Sequence, residues 1–157
     1  LFSLEALQEI VVRSIRFKSG IVARDLREEN ERRVLNFGHT VGHAVELISG
    51  FEMPHGFAVG YGMLVETKIA EDLGVLSKED RTTLCSYLER LGITSEGLKD
   101  FNVDDVLEAV KGDKKSRGGA VYCVLLRSIG AVSTDGGNYA HPVEETVIRR
   151  AYESLVF

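Results

Sequence analysis

The stretch Arg32-Arg33-Val34-Leu35-Asn36-Phe37-Gly38-His39-Thr40-Val41-Gly42-His43-Ala44-Val45-Glu46, followed by Pro54-His55-Gly56, decides how this chain is read, because it gathers three of the four histidines. Positions 39 and 43 are four apart and share one helix face, while His55 follows a turn and can fold back toward them. That is metal-site spacing. For a lone helix histidine the ordinary reading is a satisfied polar residue, but three of them among Gly38, Gly42 and Gly56 reverse the preference. Thr40 occupies the place where the general-base Glu of a His-Glu-x-x-His protease would stand, so a zinc peptidase is disfavoured. A divalent ion held by two imidazoles needs a third protein ligand, and a catalytic site keeps one position open.

Working outward, apolar residues at Leu4, Leu7, Ile10, Val11, Ile15, Ile21 and Val22 predict an amphipathic helix over 4–23, its stripe interrupted by Lys18. The charged stretch 25–31 reads as a loop before a second helix over 32–49, stopped by Gly50. Pro54 suits the first turn of a third helix that runs to Leu73 and ends at Gly74. Ser77 with Asp80 forms a capping-box-like start for a helix over 81–91, and Asn102 can cap another over 103–110. Ala120 to Leu126 is rich in β-formers and precedes a short Ala131-Val132 stretch, which predicts a small hairpin. Pro142 then opens a final helix over 143–155. The expected fold class is mainly α, a multi-helix domain with a small β-hairpin.

With 157 residues and 44% hydrophobic content, one domain with a real core is expected. Nineteen Lys+Arg against 24 Asp+Glu give a formal charge of −5 with no basic block, which argues against nucleic acid as a partner. No apolar run approaches the ~18 residues of a membrane span and Leu1-Phe2-Ser3 does not resemble a signal peptide, so a cytoplasmic protein without membrane contact is expected. Cys85 and Cys123 lack CxxC spacing and are expected to be buried and free. Lys18, Arg32 and Lys114/Lys115 come from separate segments bordering the histidine region, as an anionic substrate would require. Asn36, three residues before His39, would present its amide from the same helix. Most other Lys and Arg, including Arg13, Arg16 and Arg149, read as a solvated face.

Several strings together resemble the 3-dehydroquinate synthase family, a member of the sugar-phosphate cyclase group related to the iron-type alcohol dehydrogenases. They are Lys18 with Asp25-x-x-Glu28 and Arg32, Leu35-Asn36-x-Gly38-His39-x-x-Gly42-His43-Ala44-x-Glu46, His55-Gly56-x-Ala58-Val59-x-x-Gly62-Met63, Asp113-Lys114-Lys115, and Val124-Leu125-Leu126-x-x-Ile129-Gly130. The match runs in the expected order from about residue 18 to 130.

The resemblance implies an enzyme that oxidises the C5 hydroxyl of 3-deoxy-D-arabino-heptulosonate 7-phosphate with NAD, eliminates phosphate, returns the hydride and closes the ring by an aldol step, giving 3-dehydroquinate. It implies His39 and His55 as ligands to Zn2+ or Co2+, with a Glu as third ligand, whereas spacing alone would pair His39 with His43. It gives His43 and Glu28 to catalysis and Lys18, Arg32, Asn36, Lys114 and Lys115 to substrate: Lys18 and Arg32 to the carboxylate, Asn36, His43 and the lysine pair to the phosphate side. Family members carry a Gly-rich NAD-binding domain, the third ligand and further substrate lysines before the point where this chain begins. Residues 1–157 are therefore expected to be only the C-terminal metal- and substrate-binding domain of a homodimeric enzyme, inactive alone, with NAD bound by the domain absent here. Phe57 stands where the family commonly has Glu. Sibling cyclases that make valiolone or inosose products tend to alter the residues facing phosphate and carboxylate, so Arg32, Asn36, His43 and Lys114/Lys115 favour the dehydroquinate enzyme. From a different class, a non-catalytic helical module binding metal or a partner is the alternative.

Overall fold

Ser3 opens the first element by accepting the Ala6 amide at 3.2 Å, and the helix α1 (Leu4–Arg24) runs until Asp25 leaves helical geometry. The computed structural model describes residues 3–114 and 121–157, without the side chains of Asp113 and Lys114. Among α1's residues only Ile21 is buried; Leu4, Ile15 and Phe17 are more than half exposed, so the predicted helix exists but its apolar stripe is largely uncovered. The charged stretch after it is organised by one carboxylate: Asp25 accepts the amides of Glu29, Asn30 and Arg32 at 3.1, 2.8 and 3.0 Å. Those amides, Arg32's foremost, hold its carboxyl below the ordinary range.

The second helix expected over 32–49 is two elements. Glu31–Asn36 is a 3-10 helix, and α2 spans His39–Ile48. Gly38 separates them at φ +80°, a left-handed conformation that breaks the helical path and lets α2 start afresh. Asn36 is thus not on the helix of His39, contrary to the sequence reading. After Gly50 and Phe51, both at positive φ, α3 covers His55–Asp72 with Pro54 before it. The remaining helices are α4 (Lys78–Arg90), a second 3-10 helix (Ser95–Asp100), α5 (Val103–Lys114) and α6 (Glu145–Val156). The Ser77 cap forms as expected, its Oγ accepting the Asp80 amide at 3.1 Å and donating to the Asp80 carboxylate at 3.2 Å. The α5 helix continues past the predicted stop at Val110, so its last turn contains Asp113 and Lys114 rather than a loop.

The β structure exceeds the expected hairpin. β2 (Leu126–Ser128) and β3 (Ala131–Val132) form it, turning at Gly130, while β1 (Val121–Cys123) pairs antiparallel with β4 (His141–Val143). Pro142, expected to open the last helix, lies in β4 and faces Tyr122; proline is tolerated on an edge strand because it lacks only the outward N–H. Of the cysteines, Cys123 is buried and Cys85 only half-buried; burial pushes both thiols up, so neither is a ready nucleophile.

The core centres on α3, which contributes eleven buried residues and packs against α2, α4 and α6. Tyr152 of α6 is fully buried, and its hydroxyl donates to the carbonyls of Leu98 and Phe101 at 2.7 and 3.2 Å, pinning the second 3-10 helix. No helix among the described residues is long and apolar enough to cross a membrane.

Candidate metal centre

The junction of α2 and α3 is made of glycines. A Cβ on Gly62 would lie 1.8 Å from the Gly38 carbonyl oxygen, one on Gly42 would lie 2.8 Å from Cα of Val59, and one on Gly38 would meet the Val59 carbonyl at 2.6 Å. Backbone therefore rests on backbone where the start of α2 crosses α3 at Val59 to Met63, and the first residue of α3 lies beside Glu46 near the other end of α2. His39 and His43 project from α2 and His55 from the first residue of α3.

The three imidazoles converge. Ring centroids are 5.2 Å apart for His39 and His43, 5.4 Å for His39 and His55, and 5.9 Å for His43 and His55. One nitrogen from each lies within 4.8 Å of the others, a donor set that fits a divalent d-block ion such as zinc or cobalt. The rings differ in what holds them. Nδ1 of His39 is 3.2 Å from the Phe37 carbonyl, which can only accept, so Nδ1 carries the proton and Nε2 keeps a free lone pair. Nδ1 of His55 is 3.1 and 3.3 Å from the two oxygens of Glu46, and that carboxylate fixes the same tautomer. A metal-ligating histidine typically has such a partner on its other nitrogen. Among the described residues no partner fixes a ring nitrogen of His43. Burial holds the His39 imidazole below its ordinary pKa, and the neighbouring charges of His43, His55 and Lys18 act in the same direction. A neutral imidazole is the ligand form. Lys18, exposed on α1, is close enough to be felt at His39.

Beside this cluster lies a second group. The side-chain amide of Asn36 donates to Glu28 at 2.5 Å, and the other Glu28 oxygen is 3.7 Å from Nε of Arg32. Arg32 also donates from Nη1 to the Leu26 carbonyl at 2.9 Å. Glu28 itself sits at φ +58°, an uncommon conformation for a non-glycine residue that the Asp25-organised loop imposes. Glu28, Asn36 and Thr40 line a cavity of about 740 Å³ together with Tyr122, Asn138 and His141. The three clustered histidines do not line it; Thr40, next to His39, joins the two regions. The structure thus brings Glu28, Arg32, Asn36, His39, His43 and His55 to one end of the molecule. Lys115 and the side chain of Lys114 lie outside the described residues.

Two acids escaped the sequence reading. Glu46 was visible only as part of a matching string; its signal is a carboxylate one helical turn beyond His43, just before the turn that leads to His55. Glu66 follows the apolar run Met63-Leu64-Val65 and precedes Thr67, and both Glu66 and Thr67 are fully buried.

The family described as 3-dehydroquinate synthase C-terminal matches residues 2–116. A 3-dehydroquinate synthase from Thermoanaerobacter pseudethanolicus is 40% identical over 127 residues, covering 80% of this chain and 35% of that protein. One from Corynebacterium jeikeium is 36% identical over 151 residues, covering 96% and 39%. The chain therefore spans between a third and two-fifths of the length of these relatives. In shape it is similar to 2-deoxy-scyllo-inosose synthase, solved with carbaglucose-6-phosphate, NAD+ and Co2+, at a TM-score of 0.83 and 23% identity over 98% of this chain and 42% of that one. It is also similar to 2-epi-5-epi-valiolone synthase from Streptomyces hygroscopicus, solved with NAD+ and Zn2+, at 0.78 and 22% over 96% and 40%. The match over residues 2–116, together with relatives at 36–40% identity, shows that the chain belongs to the 3-dehydroquinate synthase C-terminal family.

Proposed function

We propose that this chain is the metal- and substrate-binding part of a 3-dehydroquinate synthase that converts 3-deoxy-D-arabino-heptulosonate 7-phosphate to 3-dehydroquinate and phosphate, working with an NAD-binding domain outside these residues. The observation that carries the reading is the pair His39 and His55, each with Nδ1 engaged and Nε2 free, on helices locked together by glycine. The relatives' names supply the reaction class. The open apolar face of α1 supports a partner domain, because burying such a face is what ordinarily stabilises an amphipathic helix.

His39 and His55 hold the ion and an upstream Glu completes its protein ligands. The zinc or cobalt ion, when bound, polarises the substrate hydroxyl oxygens. Arg32, with Lys18 near it in charge, takes the substrate carboxylate; the guanidinium offers two parallel donors to it. Asn36 and His43 face the phosphate, with Lys114 and Lys115 assigned to the same side. Glu28, held between Asn36 and Arg32, is placed to hydrogen-bond at the reacting hydroxyls. The protein's own share of the work is chiefly orientation and charge neutralisation. A cytoplasmic homodimer belongs to the same reading.

The test is phosphate release by the complete enzyme from the heptulosonate phosphate and from a sugar phosphate lacking the carboxylate. Preference for the former, with the KM of Arg32→Lys raised about tenfold because an ammonium cannot replace the planar two-donor contact, is expected. Faster turnover of the carboxylate-free substrate would favour a sibling cyclase.

A further inference from the structure

Glu66 is the fully buried carboxyl group among the described residues, and the chemistry above leaves it unused. One of its oxygens accepts the Gly38 amide at 2.8 Å and the other the Thr40 amide at 3.2 Å; the Val41 amide also contributes. These belong to the start of α2, where Gly38 has no side chain to cap the helix itself. The cap arrives instead from α3. His39 lies between the two amides that Glu66 holds, and His55 begins the helix on which Glu66 sits, about three turns earlier.

We propose that Glu66 is a positioning residue: by holding the backbone on either side of His39 from the helix that carries His55, it sets the separation and aim of the two metal ligands. The inference rests on the reading of His39 and His55 as ligands. Geometry favours this role over simple filling of the core. An aliphatic side chain would fill the same space at no desolvation cost, but it would leave the Gly38 and Thr40 amides without their acceptor in a buried setting. Burial pushes the Glu66 carboxyl up to about 8, the amide donors opposing it, so this position carries a cost that packing alone does not require. The glycine contact of Gly62 with Gly38 lies one turn before it on α3, so the two helices are fixed at two successive points along their crossing. With both points in place, the backbone that carries His39 cannot shift against α3 without breaking a hydrogen bond to Glu66.

The experiment compares Glu66→Gln with Thr67→Val in the complete enzyme, where the upstream Glu is present. Thr67 is the adjacent fully buried position on α3, and its hydroxyl has no partner among the described residues. Titration with Co2+, followed by its visible d–d absorption, should show about tenfold weaker binding and altered bands for Glu66→Gln, because Gln can accept only one of the two amides. Thr67→Val should match the wild type in both. Wild-type affinity and bands in Glu66→Gln would overturn the proposal and leave Glu66 a stabilising cap. If Glu66→Gln shows no cooperative unfolding transition, Glu66→Asp, a carboxyl one methylene short, decides by the same readout. If the wild-type enzyme takes up no Co2+, the metal reading is what fails. Imidazole nitrogen chemical shifts then still judge Glu66: those of His39 should move in Glu66→Gln while those of His141 stay, and an unmoved His39 would overturn it.

Discussion

The helices α1 and α3 are of similar length and both are legible as helices, yet they are stabilised in opposite ways. In α1 the local signals are good: a Ser3 cap, a regular apolar stripe and the two-pronged Arg24–Glu31 ion pair at 2.8 and 2.7 Å just beyond its end. Only Ile21 is buried. In α3 no side chain caps the start and three glycines weaken the intrinsic preference, but eleven residues are buried. Tertiary packing, not propensity, holds the helix that carries His55. The loop of Glu28 and Arg32 follows the first pattern, being organised locally by Asp25, and the histidine cluster follows the second.

The largest effect that would break this contrast comes from one methyl group. Gly62→Ala places Cβ against the Gly38 carbonyl, and separating α2 from α3 should cost on the order of 3 kcal/mol, with loss of metal binding. Urea denaturation and metal analysis check it; wild-type stability would mean that the helices are not in backbone contact. An intermediate effect separates the regions by pH. Because the Glu66 carboxyl is raised in the fold, its stabilising share is fully present below the unfolded value near 4.5, and it is lost progressively until it is gone above about 8. Asp25 has the opposite sign: its lowered carboxyl favours the folded loop above the unfolded value and stops doing so as pH falls through its folded one. Denaturant midpoints measured across this range should therefore fall toward alkaline pH in the wild type and lose that component in Glu66→Gln. The smallest effect sharpens the contrast. Gly20→Ala on α1 meets only the tip of Arg24 at 3.6 Å and should stabilise by roughly 0.5–1 kcal/mol, the helix-propensity difference, read as a raised Tm.

Much of this was readable in advance because periodicity and punctuation are local. The helices of α1, α3 and α4 and the hairpin at Gly130 followed from stripe spacing, caps and glycines. The break at Gly38 did not, since a glycine beside a histidine in an apolar run is compatible with a continuous helix; only the approach of Gly62 and Glu66 from α3 forces it out. The pairing of β1 with β4 is likewise non-local, and Pro142 misled because it suits a helix start as well as an edge strand. At the site, spacing found the three histidines but would pair His39 with His43. The pairing of His39 with His55 is what the family resemblance implies, and the Phe37 carbonyl and the Glu46 carboxylate that engage their Nδ1 atoms, neither of which periodicity exposes, are consistent with it.

The central claim is that His39 and His55 bind the ion while His43 serves the substrate. It is tested most directly by the zinc content of His43→Ala and His55→Ala, each in the complete enzyme, with single-turnover rates on the same preparations. The account predicts that His43→Ala keeps near-normal zinc and turns over slowly, because the ion retains His39, His55 and the upstream Glu, whereas His55→Ala loses zinc and activity together. A His43→Ala enzyme that is zinc-depleted and regains full rate when zinc is added would contradict it.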